Sequence, residues 1–307
     1  MLHEYIIKGV SVVYMNQSTT LTSIVEYLFH SNLYRPPKCR YELNECDFVK
    51  TPSGTDIACR LVSVDPKVTE RWNARHDYTD DRVIYLFSHG NACDMNTAYI
   101  EWLLKLNGNV LKWDYPGYGH STDENVNENG IFEAVEAVHK LCDVMKVPAD
   151  KLVIVGQSLG SVPSLFLASK CYVRHRAVIL VSPLASAYRT MFSVKYIPDR
   201  LCCYMDNLLF NNVKYASSVR VPIAIIHGVN DDIVNVDHVN VLLAKICPRR
   251  RYKPLLLQAK HNDIFDSTND DDINTYLMRF IKYTATYQEH ITPYDDTGID
   301  DVDVYNT

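Results

Sequence analysis

The sequence predicts an α/β protein with a mostly parallel sheet that is covered by helices on both faces. Strand-like segments that are apolar throughout alternate with helical segments from about residue 82 to residue 287. Strands without a polar side must be buried on both faces, which is typical of a parallel sheet between two layers of helices. The chain has 307 residues, the upper end of what one hydrophobic core supports. We therefore expect a single domain of this class.

Residues 1–39 come before this alternation and are interpreted as a separate N-terminal segment. The stretch 20–34 has apolar residues at helical spacing, and Pro36 and Pro37 end it. Because the apolar face carries no basic residues, we expect this helix to pack on the core. Contact with a membrane surface is the alternative.

The α/β domain is expected to span residues 40–287. It begins with a hairpin over 47–64 that turns at Pro52, Ser53 and Gly54. Further strands are predicted at 82–90, 109–115, 151–156, 177–182, 221–228 and 254–259. Helices are predicted at 95–106, 127–145, 158–171, 236–247 and 272–287. We expect an irregular, cap-like insert at 183–217 and a disordered acidic tail at 288–307.

Composition argues against several classes of protein. The formal net charge is -6 and no long Lys/Arg block is present, so we expect no nucleic-acid partner. The nine cysteines are odd in number and lack metal-ligand spacing, so we expect reduced thiols, a cytosol-like compartment and no metal site. The sequence lacks a signal-peptide pattern, and no apolar run approaches the ~20 residues of a membrane span.

Ser158 lies between two glycines, where the strand 151–156 turns into a helix. Such a sharp turn exposes the serine hydroxyl. Side chains two residues before and after the serine would collide with the neighbouring strand and helix, and glycine at positions 156 and 160 avoids this. The Leu159 N–H then begins a helix and suits an oxyanion. The pattern alone also occurs by chance in plain strand-turn-helix units, so its position carries the interpretation. No Gly-Lys-Ser/Thr follows, which excludes a Walker-type phosphate loop.

A serine nucleophile needs a base that is itself oriented by an acid. In this type of sheet the chain order is serine, then acid, then histidine. His261 follows the strand 254–259 and is the candidate base, and Asp231 follows the strand 221–228 and is the candidate acid. Its neighbour Asp232 is the alternative acid, and Asp206 in the insert is a more remote one.

The strand 82–90 supplies a second candidate oxyanion donor. His89 and Gly90 end this strand and let the backbone turn inward, so that the Asn91 N–H faces Ser158. A plain turn capped by Asp94 is the alternative, and both can hold at once.

Other residues near these strand ends receive weaker interpretations. Tyr115 and Tyr118 are candidates for lining an acyl pocket, although such tyrosines more often pack in a core. Asp114 is expected to bond nearby backbone. His227, like His89, ends a strand before a glycine and is interpreted as structural, and His238 lies in a helical pattern.

Six motifs occur together and in order: LFSHGNACDM, WDYPGYGHST, GQSLGSVPS, VSPLASAYRTMF, IIHGVNDDIV and KHNDIF. Through them, residues 40 to about 285 resemble the alpha/beta-hydrolase domain-containing protein 17 family of palmitoyl-protein thioesterases, within the wider BEM46-like group. The resemblance implies an α/β-hydrolase fold with Ser158 as nucleophile, Asp231 as acid and His261 as base. It also implies a cofactor-free removal of a long acyl chain from a cysteine thioester on a membrane-bound protein.

The N-terminus departs from the pattern of this family. No cysteine precedes Cys39, whereas family members that act on membrane substrates carry an N-terminal cysteine cluster. We therefore expect at most peripheral contact with the cytosolic face of a membrane. The expected partner is an S-acylated protein or an acyl lipid. A general esterase or lipase and a non-catalytic binding scaffold are the alternative functions, and the oligomeric state stays open.

Overall fold

The computed structural model describes residues 30, 31, 33–122, 126–191 and 205–289, without the side chains of 288 and 289. Most of the predicted helix 20–34, the centre of the insert and all but the first two residues of the predicted disordered tail lie outside these residues, and those two end a helix. The rest of the chain forms one sheet with helices on both faces.

The sheet has eight strands in the order β1-β2-β4-β3-β5-β6-β7-β8. The β1/β2 and β2/β4 pairs are antiparallel and the other pairs are parallel. This confirms the predicted, mostly parallel sheet. The strands are β1 (Asp47–Lys50), β2 (Asp56–Val62), β3 (Ile84–Ser88), β4 (Asn109–Trp113), β5 (Leu152–Gln157), β6 (Ala177–Val181), β7 (Ile223–Gly228) and β8 (Leu255–Leu257).

Helices cover both faces of this sheet. They are α1 (Pro66–Asn73), α2 (Glu101–Leu104), α3 (Glu128–Val144), α4 (Ser161–Ala168), α5 (Ala187–Met191), α6 (Asn212–Ser218), α7 (Asp237–Leu243) and α8 (Asp270–Glu289). Short 3-10 turns lie at Leu43–Glu45, Ala149–Lys151, Ser158–Gly160 and Pro248–Arg250. The described parts of the predicted insert contain α5 and α6.

Two hydrophobic cores account for this layering. Side chains of α3, α4, α6 and α7 pack on one face of the sheet, and side chains of α2 and α8 pack on the other. Every residue of β3, β4, β6 and β7 is buried. Strands covered on both faces are expected to be largely apolar, which is the pattern that the sequence shows, with Asn109 and Lys112 of β4 among the buried polar exceptions.

The helix that follows β3 is shorter than predicted. The predicted helix 95–106 is wrong in extent, because only Glu101–Leu104 is α-helical. The Asp94 carboxylate accepts hydrogen bonds from the N–H groups of Asn96 (3.0 Å) and Thr97 (2.7 Å). This is the hydrogen bonding of a helix N-cap, but the chain makes only a single turn here, closed by the Ala98 N–H to the Asp94 carbonyl, before α2 begins at Glu101.

The hairpin prediction is confirmed at its turn. Lys50 pairs with Asp56 across β1 and β2. Between them Gly54 has a φ of 96°, in the region that favours glycine. The chain therefore reverses where the sequence places Pro52, Ser53 and Gly54.

Candidate active site

Ser158 occupies a strained turn directly after β5. Its φ is 52°, a left-handed conformation that is costly for a residue with a side chain. A methyl group on Gly156 would lie 2.5 Å from the Gly160 carbonyl oxygen and 2.7 Å from the Ser164 Oγ. A methyl group on Gly160 would collide with the backbone of β3 and lie 2.7 Å from the His89 carbonyl oxygen. Both glycines are thus required by the close packing of strand, turn and helix.

His261 connects Ser158 to a carboxylate. Its Nε2 lies 3.0 Å from the Ser158 Oγ, and its Nδ1 lies 2.7 Å from the Asp231 Oδ2. An ionised carboxylate only accepts hydrogen bonds, so the imidazole carries its hydrogen on Nδ1 and presents the Nε2 lone pair to the serine hydroxyl. Residues separated by as many as 103 positions are brought together here. The geometry is that of a nucleophile, a base and an orienting acid.

Burial distinguishes the two candidate acids. Asp231 is 8% exposed, and its Oδ1 accepts hydrogen bonds from the N–H groups of Ile233 (2.9 Å) and Val234 (2.7 Å). Asp232 is exposed. Asp231, rather than its neighbour, therefore meets His261.

Asp231 is held in its ionised form. Burial by itself raises the pKa of this carboxyl, but hydrogen bonding to His227, His261 and the Val234 N–H lowers it further than burial raises it. The net pKa lies well below the ordinary value. Asp231 is consequently an anion throughout the neutral range and can stabilise an imidazolium at His261.

His227 supports the acid from beneath. This completely buried side chain has its Nε2 2.8 Å from the Val234 carbonyl oxygen and 3.4 Å from the Asp231 Oδ2. Its ring therefore connects the end of β7 to the loop that carries Asp231. The interpretation of His227 as structural agrees with these contacts.

The remote candidate acid is engaged elsewhere. Asp206 pairs with the Arg189 guanidinium, with Nε to Oδ1 and Nη2 to Oδ2 distances of 2.8 Å, and accepts a hydrogen bond from the Ser186 Oγ (2.6 Å). It thus closes the base of the insert. His238 accepts a hydrogen bond from the Ala185 N–H, and burial lowers the pKa of His238 to about 4. Neither side chain joins the site.

Two backbone N–H groups lie beside Ser158. Gly90 is next to the turn, since a methyl group on it would lie 3.7 Å from the Ser158 Cβ. Asn91 comes next in the chain, and among the described residues its backbone N–H donates to no acceptor. Leu159 lies in the first turn of a helix, where N–H groups lack intrahelical partners. The Asp94 cap is also present, and the role of the Asn91 N–H in binding an oxyanion stays a prediction.

The two tyrosines do not line an open acyl pocket, and that prediction is corrected. Tyr115 and Tyr118 are both completely buried. The Tyr115 hydroxyl donates to the His89 carbonyl, and the Tyr118 hydroxyl donates to the Asn91 Oδ1 at 2.8 Å. Because both hydroxyls are used by the loop after β3, these side chains support the loop instead.

A polar network holds the same loop from below. The Asp114 carboxylate accepts a hydrogen bond from the Met95 N–H (2.6 Å) and another from the Tyr41 hydroxyl. His89 lies against it, with an Nε2 to Oδ1 distance of 3.3 Å. The expectation that Asp114 bonds nearby backbone is confirmed, and His89 is structural as expected.

Sequence reasoning missed the role of the Asn91 side chain. It contacts the segment Leu33–Arg35, with a hydrogen bond of 2.9 Å from the Arg35 N–H. No sequence pattern connects two stretches separated by 56 residues, so only the folded chain reveals this contact.

Metal-binding clusters and bilayer-spanning helices are both absent from the residues that the structure describes. No group of three or more His, Cys, Asp and Glu side chains in them is arranged to hold a metal ion. None of their helices is long and apolar enough to span a bilayer.

Comparison with known proteins identifies relatives of this chain. Human alpha/beta hydrolase domain-containing protein 17B is 34% identical over 224 residues, which cover 72% of this chain and 70% of the relative. The 17B protein of Xenopus laevis is 34% identical over 245 residues, 78% of this chain and 75% of the relative. No family model matches the chain.

Solved structures share the fold at lower identity. An esterase from Pyrococcus furiosus superposes with a TM-score of 0.59 at 18% identity, covering 81% of this chain and 99% of the esterase. An esterase from Exiguobacterium antarcticum gives 0.52 at 14% identity, with coverages of 76% and 98%. Because the 17B relatives are 34% identical over about 70% or more of both chains and the fold agrees, the chain belongs to the alpha/beta hydrolase domain-containing protein 17 family and is an α/β hydrolase.

Proposed function

We propose that this protein is a serine hydrolase that removes long acyl chains from cysteine thioesters of proteins. The observation that carries the proposal is the hydrogen-bonded series from Ser158 through His261 to Asp231. It provides a nucleophile, a base and a buried anion in one line. An S-acylated protein at the cytosolic face of a membrane is the proposed substrate.

The first half-reaction forms an acyl-enzyme. His261 Nε2 takes the proton of Ser158, and the Oγ attacks the acyl carbonyl carbon. The oxyanion of the tetrahedral intermediate accepts hydrogen bonds from the Leu159 and Asn91 N–H groups. Collapse of the intermediate breaks the carbon–sulfur bond, and the sulfur leaves as a cysteine thiol with the proton from His261.

The second half-reaction restores the enzyme. Water enters after the thiol leaves, and His261 takes one of its protons while the oxygen attacks the acyl carbon. The same N–H groups hold the second oxyanion. Collapse returns the proton to the Ser158 Oγ and releases the fatty acid, so the cycle consumes one water and needs no redox partner.

The thioester is favoured over an oxygen ester by the resemblance to palmitoyl-protein thioesterases, together with the membership of this family. Chemistry adds a smaller argument. A thiol has a pKa near 8.5, far below that of an alcohol, so a thiolate leaves with less help from His261. The same catalytic geometry hydrolyses oxygen esters, and a general esterase is therefore the alternative outcome of the test.

The test compares a palmitoyl-cysteine peptide with its serine-ester counterpart. Ser158→Ala should lower turnover on the order of 10⁴-fold or more while the fold persists. Ser169→Ala is the matched control, since the Ser169 Oγ bonds only the Phe166 carbonyl at the end of α4. Thioester preference in the wild type supports depalmitoylation, and equal or better ester cleavage assigns a general esterase. Substantial activity in folded Ser158→Ala refutes the serine mechanism.

A further inference from the structure

The loop that follows β3 is held by several hydrogen bonds. The His89 Nδ1 donates to the Gly90 carbonyl (2.8 Å), and the His89 carbonyl accepts from the Tyr115 hydroxyl. Ala92, just beyond, has a φ of 58°. A left-handed residue of this kind persists only where its surroundings hold it. The direction of the Asn91 N–H between these residues therefore depends on the contacts of this loop.

The Asn91 side chain supplies the contacts that reach farthest. Its Nδ2 donates to one carbonyl and its Oδ1 accepts from three donors. The partners are the Leu33 carbonyl (3.0 Å), the Arg35 N–H (2.9 Å), the Tyr118 hydroxyl (2.8 Å) and the Ala92 N–H (3.0 Å). The Arg35 N–H also lies 2.8 Å from the Tyr118 oxygen, which closes a three-way junction.

We propose that Tyr118 and the segment Leu33–Arg35 are positioning elements of the oxyanion site, and that they act through the Asn91 side chain on the Asn91 N–H. This inference rests on the proposed function. It makes the segment before the α/β core a part of the catalytic unit, because this segment bonds the same side chain whose backbone would bind the oxyanion.

The chemistry of Tyr118 suits this role. Burial raises the pKa of its hydroxyl above the ordinary value, so the group keeps its proton and donates it to Asn91. Tyr118 is completely buried, and its hydroxyl bonds Asn91 and Arg35, whereas the Ser158 Oγ bonds His261. Its loss should alter the direction of one N–H donor and leave the contacts of His261 with Asp231 and Ser158 intact.

The fold offers a matched control for a merely structural role. Tyr78 is also a buried tyrosine whose hydroxyl meets an asparagine, because the Asn109 Nδ2 donates to it at 2.8 Å. The Tyr78 hydroxyl donates to the Arg82 carbonyl (2.6 Å). Asn109 begins β4, at the end of the sheet opposite Ser158. Tyr78→Phe should therefore affect stability without affecting oxyanion binding.

The experiment measures hydrolysis of a short p-nitrophenyl ester and inhibition by a trifluoromethyl ketone, which forms an oxyanion on the serine. Removal of a whole oxyanion donor costs about 10²–10³-fold, so misdirection of one in Tyr118→Phe should lower kcat about tenfold. KM should stay unchanged, and affinity for the ketone should fall by the same factor as kcat/KM. The pH profile should keep its shape, since the proton pathway through His261 is untouched. Tyr78→Phe should match the wild type in all four readouts.

A double-mutant cycle tests whether Tyr118 acts through Asn91. Asn91→Ala should lower kcat about 10- to 100-fold at unchanged KM, and adding Tyr118→Phe should cost nothing more. Additive losses in the double variant overturn the proposal, as does a Tyr118→Phe enzyme that is as active as Tyr78→Phe. If Tyr118→Phe does not fold, an unchanged ketone affinity in Asn91→Ala overturns it instead.

Different variants test the proposed function and the positioning role. Activity in folded Ser158→Ala removes the proposed function itself. An inactive Ser158→Ala beside fully active Tyr118→Phe and Asn91→Ala removes only the positioning role.

Discussion

Replacing Asp231 with asparagine exchanges one oxygen for an NH₂ group at the centre of the site. The Asn carbonyl oxygen is expected to stay with the Ile233 and Val234 N–H groups, which now donate to Oδ1 at 2.9 and 2.7 Å. The NH₂ group then faces the His261 Nδ1, which now lies 2.7 Å from Oδ2. Two donors cannot face each other, so the imidazole must move its hydrogen to Nε2.

This tautomer has no lone pair for the proton of Ser158. We therefore expect Asp231→Asn to lower kcat/KM on the order of 10⁴-fold, or about 5.5 kcal/mol of transition-state stabilisation. Asp232→Asn is the matched control, since it makes the same chemical change on the adjacent, exposed side chain. A surface change of this kind is worth no more than about 0.5 kcal/mol, so kcat/KM should stay within about twofold.

The assay is the initial rate on a p-nitrophenyl ester, with circular dichroism to show that each variant is folded. An Asp231→Asn enzyme that keeps more than about one hundredth of the wild-type kcat/KM would contradict the change of tautomer, which requires a far larger loss. A large loss in Asp232→Asn with little loss in Asp231→Asn would move the acid by one residue.

Three predictions concern stability. Gly160→Ala forces a methyl group into backbone carbonyls and should lower the free energy of unfolding by about 1–3 kcal/mol. Gly130→Ala adds a methyl group with no neighbour within 3.4 Å and should raise the free energy of unfolding by about 0.5–1 kcal/mol. Urea unfolding compares the two variants, and equal effects would contradict the packing argument. Asp206→Ala removes one partner of a buried ion pair and should lower the free energy of unfolding, measured in urea, by about 3–5 kcal/mol, while the folded protein still hydrolyses esters. A variant that is folded but inactive would make Asp206 a candidate for the catalytic acid again. Burial lowers the pKa values of His175 and His238 from 6.5 to about 4, so the unfolded chain takes up a proton on each histidine at a higher pH than the folded chain does, and stability falls as the pH drops from 6.5 towards 4. Between pH 7 and pH 5 each histidine should lower the free energy of unfolding by on the order of 2 kcal/mol. An equal dependence of stability on pH in His175→Gln and wild type would contradict this.

The sequence alone determined the fold class and the order of the candidate catalytic residues. Continuous apolar strands separated by amphipathic helices can be buried only in a covered parallel sheet, and this sheet is observed. Parallel strands share one carboxyl edge, so residues that follow β5, β7 and β8 had to converge there. Ser158, Asp231 and His261 were predicted on this basis, and they meet in the structure.

Only the tertiary structure decided which of two neighbouring residues enters the site and which distant segments contact each other. Asp231 and Asp232 are adjacent and chemically identical, and only the burial of Asp231 and its hydrogen bond to His261 distinguish it from the exposed Asp232. Tyr118 follows a strand end as a pocket residue would, yet its hydroxyl bonds Asn91 within the protein. The contact between Asn91 and Arg35 spans 56 positions and has no periodicity that could announce it. Local patterns fix which faces are buried, whereas partners across the chain depend on packing that no single segment contains.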